Sequence, residues 1–259
     1  MKIYIHTDME GVTDIVRPEQ IPADGPEFGA SCEKLMADLN AAVAGAFEGG
    51  ATEVTVLDSH AGGGNFLLET LDPRAVNDTK PNGKWWGILD ESYDGTMFIG
   101  AHAMAGTLNG FLDHTQAPES WFEYRLNGRA CGELGQWAAV AGAFGVPMLM
   151  VSGDEAACAE ARAFFAPLET AAVKQGLGRN AALAYPPDEA REKIRQAARR
   201  AVGLLGQARP FQPIRPMEVR LTLYRSDQCD AMAAKWPQAE RLDARTLRRV
   251  TSDALDILF

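Results

Sequence analysis

Two carboxylates close the first apolar run of the chain. In KIYIHTDMEG, residues 2–11, Asp8 and Glu10 follow a stretch that reads as a buried strand. Residues two apart in an extended chain point the same way, about 7 Å apart at the backbone, so both acids can reach one small volume. Two acids that close repel unless a positive group lies between them, and Gly11 permits a sharp turn and a close approach of backbone to a bound group. A plain capping or structural role is the competing reading. A second run, EVTVLD (53–58), ends in Asp58, Ser59 and His60 before a glycine-rich loop, and a third, TMFIG (96–100), leads to His102 and the loop GTLNG. His60 alone reads as easily as a bystander. The same arrangement after the third run gives it weight, because parallel strands would then deliver D-x-E, His and His to one sheet edge. Ligands of open α/β sheets collect at that edge, outside the carboxyl ends of the strands.

Glu133, in CGELG at the start of a helical pattern, is a further acid for the same volume, although an acid there also complements the helix dipole. Asp8, Glu10, His60, His102 and Glu133 together have the mixed nitrogen and oxygen character that suits zinc or a similar divalent ion. Three carboxylates among five ligands suit two ions about 3.5–4 Å apart better than one. The chain has four histidines, which leaves two. His114, in GFLDHTQ, is placed for general acid/base work near neutral pH if its loop folds back over the metal edge, and is a surface residue otherwise. His6 lies one step deeper on the side of Asp8, as a hydrogen-bonded core histidine or a partner that orients a ligand. Asp58 is read first as an acid that orients a ligand histidine, with capture of a substrate's amino group as the alternative, a task for which Asp113 is also available.

These residues need a frame. Apolar runs at 2–7, 53–58, 96–100 and 147–153 alternate with helical patterns at about 26–49 and 133–144, which predicts an α/β fold of three layers, a mostly parallel sheet flanked by helices. A helix opened by Ser152, Gly153 and Asp154, the run TAAVKQ (170–175) and a long helix from Pro187 to about Gln207 extend the pattern. RPFQPIRP (209–216) carries three prolines that fit neither a helix nor a central strand, so it reads as a linker. It divides a domain at 1–208 with the metal site from a smaller C-terminal α+β lobe at 217–259, unless the whole is one compact unit. In the lobe, MEVRLTLY (217–224) alternates as a half-exposed strand, and residues 243–259 are predicted to form a terminal helix.

A net charge of −10 argues against nucleic acid and anionic membrane surfaces as partners, since both are held by clustered Lys and Arg. The basic stretch Arg191–Arg200 is interspersed with Glu and reads as a solvated helix face. Cys32, Cys131, Cys158 and Cys229 are scattered without a CxxC pair, which points to a reducing compartment. No segment approaches 18 apolar residues and the amino terminus lacks a signal peptide's apolar stretch, so a cytoplasmic setting is expected.

In order and spacing, TDMEGVT, DSHAGG, GAHAMAGTLNGFLDHT, NGRACGELG and VKQGLGR resemble the M55 metallopeptidases, the D-aminopeptidase or dipeptide-transport-protein A family, from residue 1 to about 205. The resemblance implies a zinc-dependent aminopeptidase with two ions per chain, acting on short peptides or aminoacyl amides, in the best-known members with D-amino acids at the amino end. It implies Asp8, Glu10, His60, His102 and Glu133 as metal ligands, Asp8 as the bridge between ions, and His114 as the catalytic group, whether nucleophile or acid/base. It also implies a ring-like homo-oligomer. Asp14, Leu57 and Asn109 depart from the family's usual residues around these motifs, and none is a ligand position. A metal-dependent amidohydrolase of a non-peptide amide, or a peptide-binding protein without catalysis, would keep the same ligands.

Overall fold

Runs that are apolar on both faces can only be inner strands, and the computed structural model, which describes Met1–Phe259, places them there. In chain order the elements are β1 (Lys2–Thr7), α1 (Phe28–Glu48), β2 (Glu53–Asp58), β3 (Ala75–Asp78), β4 (Gly95–Ala101), β5 (Trp121–Leu126) and β6 (Arg129–Ala130). There follow α2 (Glu133–Ala143), β7 (Met148–Asp154), α3 (Glu155–Phe165), β8 (Glu169–Gly178), β9 (Ala181–Ala184) and α4 (Pro187–Val202). The last are β10 (Met217–Leu223), α5 (Ser226–Lys235), β11 (Glu240–Arg241) and β12 (Thr246–Thr251).

The larger sheet has seven strands in the order β3-β2-β1-β4-β7-β8-β9, all parallel except β9, which returns antiparallel on β8. Helices α1 and α4 cover one face. On α4, Ala190, Ile194, Ala197, Ala198, Ala201 and Val202 recur at helical spacing and are buried, while Glu189, Glu192, Arg199 and Arg200 look outward, as the sequence led us to expect; Arg191 departs from this, turning its Nε toward the buried Asp38 (3.5 Å). Helices α2 and α3 cover the other face, giving the three-layer α/β architecture.

A second, antiparallel sheet runs β11-β12-β10-β5-β6. Residues 217–259 supply three of its strands, and β5 and β6 come from the chain segment between His114 and Glu133, so strands from both sides of the proline-rich stretch share one sheet. Helix α2 is wedged between the sheets: Leu134, Trp137, Ala138 and Ala141 face the larger one, Ala139 and Val140 the smaller.

The helix expected over 243–259 is not formed. Residues 246–251 are the strand β12, and a single 3-10 turn, Ala254–Asp256, follows. TLRRVT does alternate, with Leu247 and Arg249 inward, but a charged residue on the buried side hides the period. Arg249 is buried because its guanidinium lies 4.3 Å from the ring of Trp236 and 5.2 Å from that of Phe259, and donates to the carbonyl of Asp256. Helix α4 also stops at Val202, five residues short of the expected end.

Strand β1 lies between β2 and β4, where successive connections run to opposite sides, so the crevice beyond its carboxyl end is the switch point of the sheet. Its backbone packs there without side chains between. A Cβ on Gly100, whose φ is +78°, would lie 2.1 Å from the carbonyl oxygen of Asp8, and one on Gly11 would lie 2.0 Å from that of Ala101. Gly100→Ala should therefore cost more than about 3 kcal/mol of stability, from backbone collision together with a left-handed conformation. Urea unfolding of the variant checks this.

Candidate metal centre

The switch point gathers the expected residues. The N–H of Asp8 donates to the carbonyl of Ile99 (2.9 Å) and that of Gly11 to the carbonyl of Gly100 (2.7 Å), so the turn after β1 continues the pairing with β4 and aims both acids beyond the sheet. His60 Nδ1 lies 2.9 Å from Asp8 Oδ1 and 3.2 Å from Glu10 Oε2. His102 Nε2 lies 3.3 Å from Asp8 Oδ2 and 3.4 Å from Glu133 Oε1, and His114 Nε2 is 3.7 Å from the same Glu133 oxygen. The six form two groups, Asp8-Glu10-His60 and His102-His114-Glu133, within each of which the ligand atoms lie within 4.8 Å of one another. Asp8 belongs to both neighbourhoods, with one oxygen toward each ligand histidine. His114 stacks on His102, with ring centroids 3.9 Å apart and planes 11° from parallel.

The donor set fits a cation. Glu10 Oε2 and His102 Nε2 are buried and make no hydrogen bond, an expensive condition for a carboxylate oxygen and a ring nitrogen unless something else binds them. His102 Nδ1 donates to the carbonyl of Ala103 (3.0 Å), which turns Nε2, the nitrogen a proton or a metal can occupy, toward Asp8 and Glu133.

The charges respond accordingly. Burial opposes a proton on His60, but Glu10 and Asp8 outweigh it and push the imidazole up to about 11. Burial likewise opposes charge on His102, and Glu133 with Asp8 overcomes it, raising this imidazole well above its ordinary value. Burial would raise Glu133, yet His102 and His114 draw it down to about 2, and His60 outweighs burial to hold Glu10 well below the usual range. Without metal, imidazolium protons on His60 and His102 offset two of the three carboxylate charges.

Because both histidine values are raised, the imidazoles hold their protons at pH 7 and an incoming ion must displace them. Zinc loading at pH 7 should therefore release about two protons, and affinity should tighten as pH rises through neutrality, by up to about tenfold per unit for each proton displaced. Calorimetry in buffers of different ionisation enthalpy reads both.

The surrounding residues hold the ligand loops. Asp58 touches no imidazole: it accepts from the N–H groups of Gly64 (2.8 Å), Asn65 (2.6 Å) and Phe66 (3.2 Å) and from Asn65 Nδ2 (2.8 Å), which also donates to the carbonyl of His60. It thus orders the loop that carries His60. His6, held down to about 3 by burial, pairs Nδ1 with Ser59 Oγ (3.2 Å) and packs on Trp137 and Phe98 at one wall of the cleft. Asp154 caps α3 through the N–H of Ala157 and accepts the N–H of Phe111, fixing the loop before His114. Asp113 is engaged by Gly106 and Arg179.

Lys174 escaped the reading of the sequence. Fully buried on β8, its ammonium donates to the carbonyls of Glu10 (2.5 Å), Val12 (2.8 Å) and Ile15 (2.5 Å), closing the loop that carries Glu10 from below, and burial pulls it down to about 7. In the sequence it stands as a lysine inside an apolar run, TAAVKQ, and within the motif VKQGLGR, neither of which gives it a role. Asp38 holds the same loop by accepting the N–H of Thr13 (2.8 Å). Lys174→Met leaves three buried carbonyls without a donor. It should cost about 3 kcal/mol of stability and weaken zinc binding roughly 10- to 100-fold. Urea unfolding and chelator competition measure the two effects.

Three adjoining cavities form one cleft here. The central one, about 390 Å3, is lined by Asp8, Glu10, His60, His114 and Glu133. One of about 270 Å3 lies toward Trp85, Trp137 and Leu258, and one of about 210 Å3 toward Arg179. A larger groove of about 840 Å3 lies between α4 and the start of β8 and holds no histidine.

An open parallel sheet whose switch point gathers three carboxylates and three imidazoles around orphaned ligand atoms has the layout of a metal-dependent hydrolase. The chain belongs to peptidase family M55, the D-aminopeptidases, whose family model matches residues 1–258. The match extends the likeness through the second sheet, and the activity class of the family is that of a metallo-aminopeptidase. A D-aminopeptidase of Bacillus subtilis (strain 168) is 34% identical over 216 residues, covering 82% of this chain and 78% of its own. A solved structure, described as the Zn-dependent D-aminopeptidase DppA from Bacillus subtilis, a self-compartmentalizing protease, superposes with a TM-score of 0.93 at 30% identity, over 99% of this chain and 94% of that one. In the present structure no helix is long and apolar enough to cross a membrane.

Proposed function

We propose that this chain is a zinc-dependent aminopeptidase that removes the first residue, with D-amino acids accepted there, from short peptides or aminoacyl amides. Asp8, Glu10 and His60 would hold one ion, and His102 and Glu133, with Asp8 as a shared ligand, a second. The observation that carries the reading is the disposition of Asp8: Oδ1 faces His60 at 2.9 Å while Oδ2 faces His102 at 3.3 Å, as a bridging carboxylate requires. Zinc bound there would polarise the scissile carbonyl and make water acidic enough to supply hydroxide near pH 7.

His114 is the proton carrier in this account. Its Nδ1 donates to the carbonyl of Leu112 (2.8 Å), which fixes the ring and leaves Nε2 as the exchangeable position facing the cleft. Protonated, Nε2 can donate to the departing amine; neutral, it can accept a proton from water. Direct attack by Nε2 on the carbonyl is the competing chemistry. Leu112 and Gln116, on either side of His114, both have positive φ (49° and 60°), a strained loop of the kind found where a side chain must be aimed.

A third role for His114 comes from its place in the His102-His114-Glu133 group, where it could serve as a ligand. His114→Ala separates the roles. As proton carrier, its loss lowers kcat by about 10²- to 10⁴-fold with zinc content near wild type, measured by metal analysis beside peptide turnover. Loss of one zinc per chain would make it a ligand instead.

Self-association belongs to the same reading. Leu108, Leu177 and Leu183 are exposed by 86%, 60% and 55%, on the glycine-rich loop before His114 and on the β8–β9 hairpin packed against it. Apolar residues so displayed beside a site suit contact with a further copy of the chain.

A further inference from the structure

The cavity beside His114 has a shape of its own. It shares Glu10, Ile21, Pro118 and His114 with the central cavity, is walled by Pro18, Pro22 and Leu112, and ends at Arg179. Arg179 sits in the turn between β8 and β9 and is anchored to the His114 loop at two levels. Its carbonyl accepts the N–H of Leu112 (2.7 Å), and its Nη1 donates to the carbonyl of Asp113 and to Asp113 Oδ1 (3.2 Å). The other carboxylate oxygen of Asp113 is held by the N–H of Gly106 (2.6 Å). One edge of the guanidinium is therefore fixed, while Nε and Nη2 make no hydrogen bond and the side chain is 45% exposed. A planar fork held at one side and open at the other is suited to a carboxylate in bidentate contact.

We propose that Arg179 receives the free C-terminal carboxylate of a dipeptide whose second residue fills this cavity, which makes the enzyme favour the free dipeptide over its carboxamide. The assignment rests on the aminopeptidase reading and on His114 serving the departing amine. That amine belongs to the second residue of the substrate, so the second residue lies on the side of His114, and the cavity on that side is this one. The opposite cavity, with Trp85, Trp137 and Leu258, lacks His114 and receives the first side chain. Lys80 is the rival cation, but it lies at that opposite end and already donates to the carbonyl of Gly62 (2.8 Å). Charge gives the same polarity, since Glu10 borders the near end of the cavity and repels a carboxylate that Arg179 attracts at the far end.

The test compares zinc-loaded wild type, Arg179→Gln, Arg179→Lys and Lys80→Gln on D-alanyl-alanine, its C-terminal carboxamide, and the tripeptide one alanine longer. Wild type should favour the free dipeptide over the carboxamide by roughly 10- to 100-fold in kcat/KM, the worth of a charge-assisted contact. Arg179→Gln should abolish that preference through KM for the free acid, Arg179→Lys should retain part of it, and Lys80→Gln should leave the ratio in place. If Arg179 only holds the His114 loop, its replacement lowers both rates together and the ratio stays, which overturns the proposal. Equal rates for acid and carboxamide in wild type also overturn it while the aminopeptidase reading stands. Hydrolysis of none of the three by zinc-loaded protein overturns that reading, and the carboxylate subsite with it.

Discussion

Mutual repulsion among Asp8, Glu10 and Glu133 is the constraint on which this structure turns. Three carboxylates in a buried crevice would each pay a large desolvation cost with no compensating partner, and the ammonium of Lys174, beneath the Glu10 loop, is directed to backbone carbonyls instead. Imidazolium protons on His60 and His102 relieve the repulsion in the bare protein, and a divalent cation would relieve it more completely by displacing them. The crevice is thus built at a local expense that the rest of the fold sustains.

How it is sustained is visible in the loops. Each of these turns is gripped by side chains that do not face the site: the Glu10 loop by Lys174 and Asp38 and the His114 loop by Asp154 and Arg179, all from other elements, and the His60 loop locally by Asp58 and Asn65. These contacts are mostly between a buried side chain and main-chain groups, so they fix where the backbone runs and leave the imidazoles and carboxylates free to meet a ligand. Helix α2 adds the link to the second sheet, because the residue that opens it is Glu133 while its opposite side packs against β5 and β10.

Much of this was legible from residue types alone. β1, β2, β4 and β7 are apolar on both faces and can be little else, and the acids and histidines stand out because each falls where such a strand ends. Two of the departures from family pattern also make sense in the backbone. Asp14 and Asn109 occupy left-handed conformations, φ 61° and 58°, which short polar side chains tolerate. What escaped notice was information that exists only in three dimensions. β5 and β12 are half-buried strands whose alternation is masked by aromatic and arginine residues, and the role of Lys174 depends on carbonyls about 160 residues earlier in the chain. Arg179 closes the motif VKQGLGR but has no assignable task until the fold sets it beside His114.

The glycine contacts at Gly11, Gly100 and Gly153 bring main chains together with no side chain to act as a spacer. The relative placement of Asp8 and His102 is consequently inherited from the separation of neighbouring strands rather than adjusted by rotamers. Forcing β1 and β4 apart, as a side chain at either of the first two glycines would, shifts Asp8 and His102 relative to each other whatever rotamers they take.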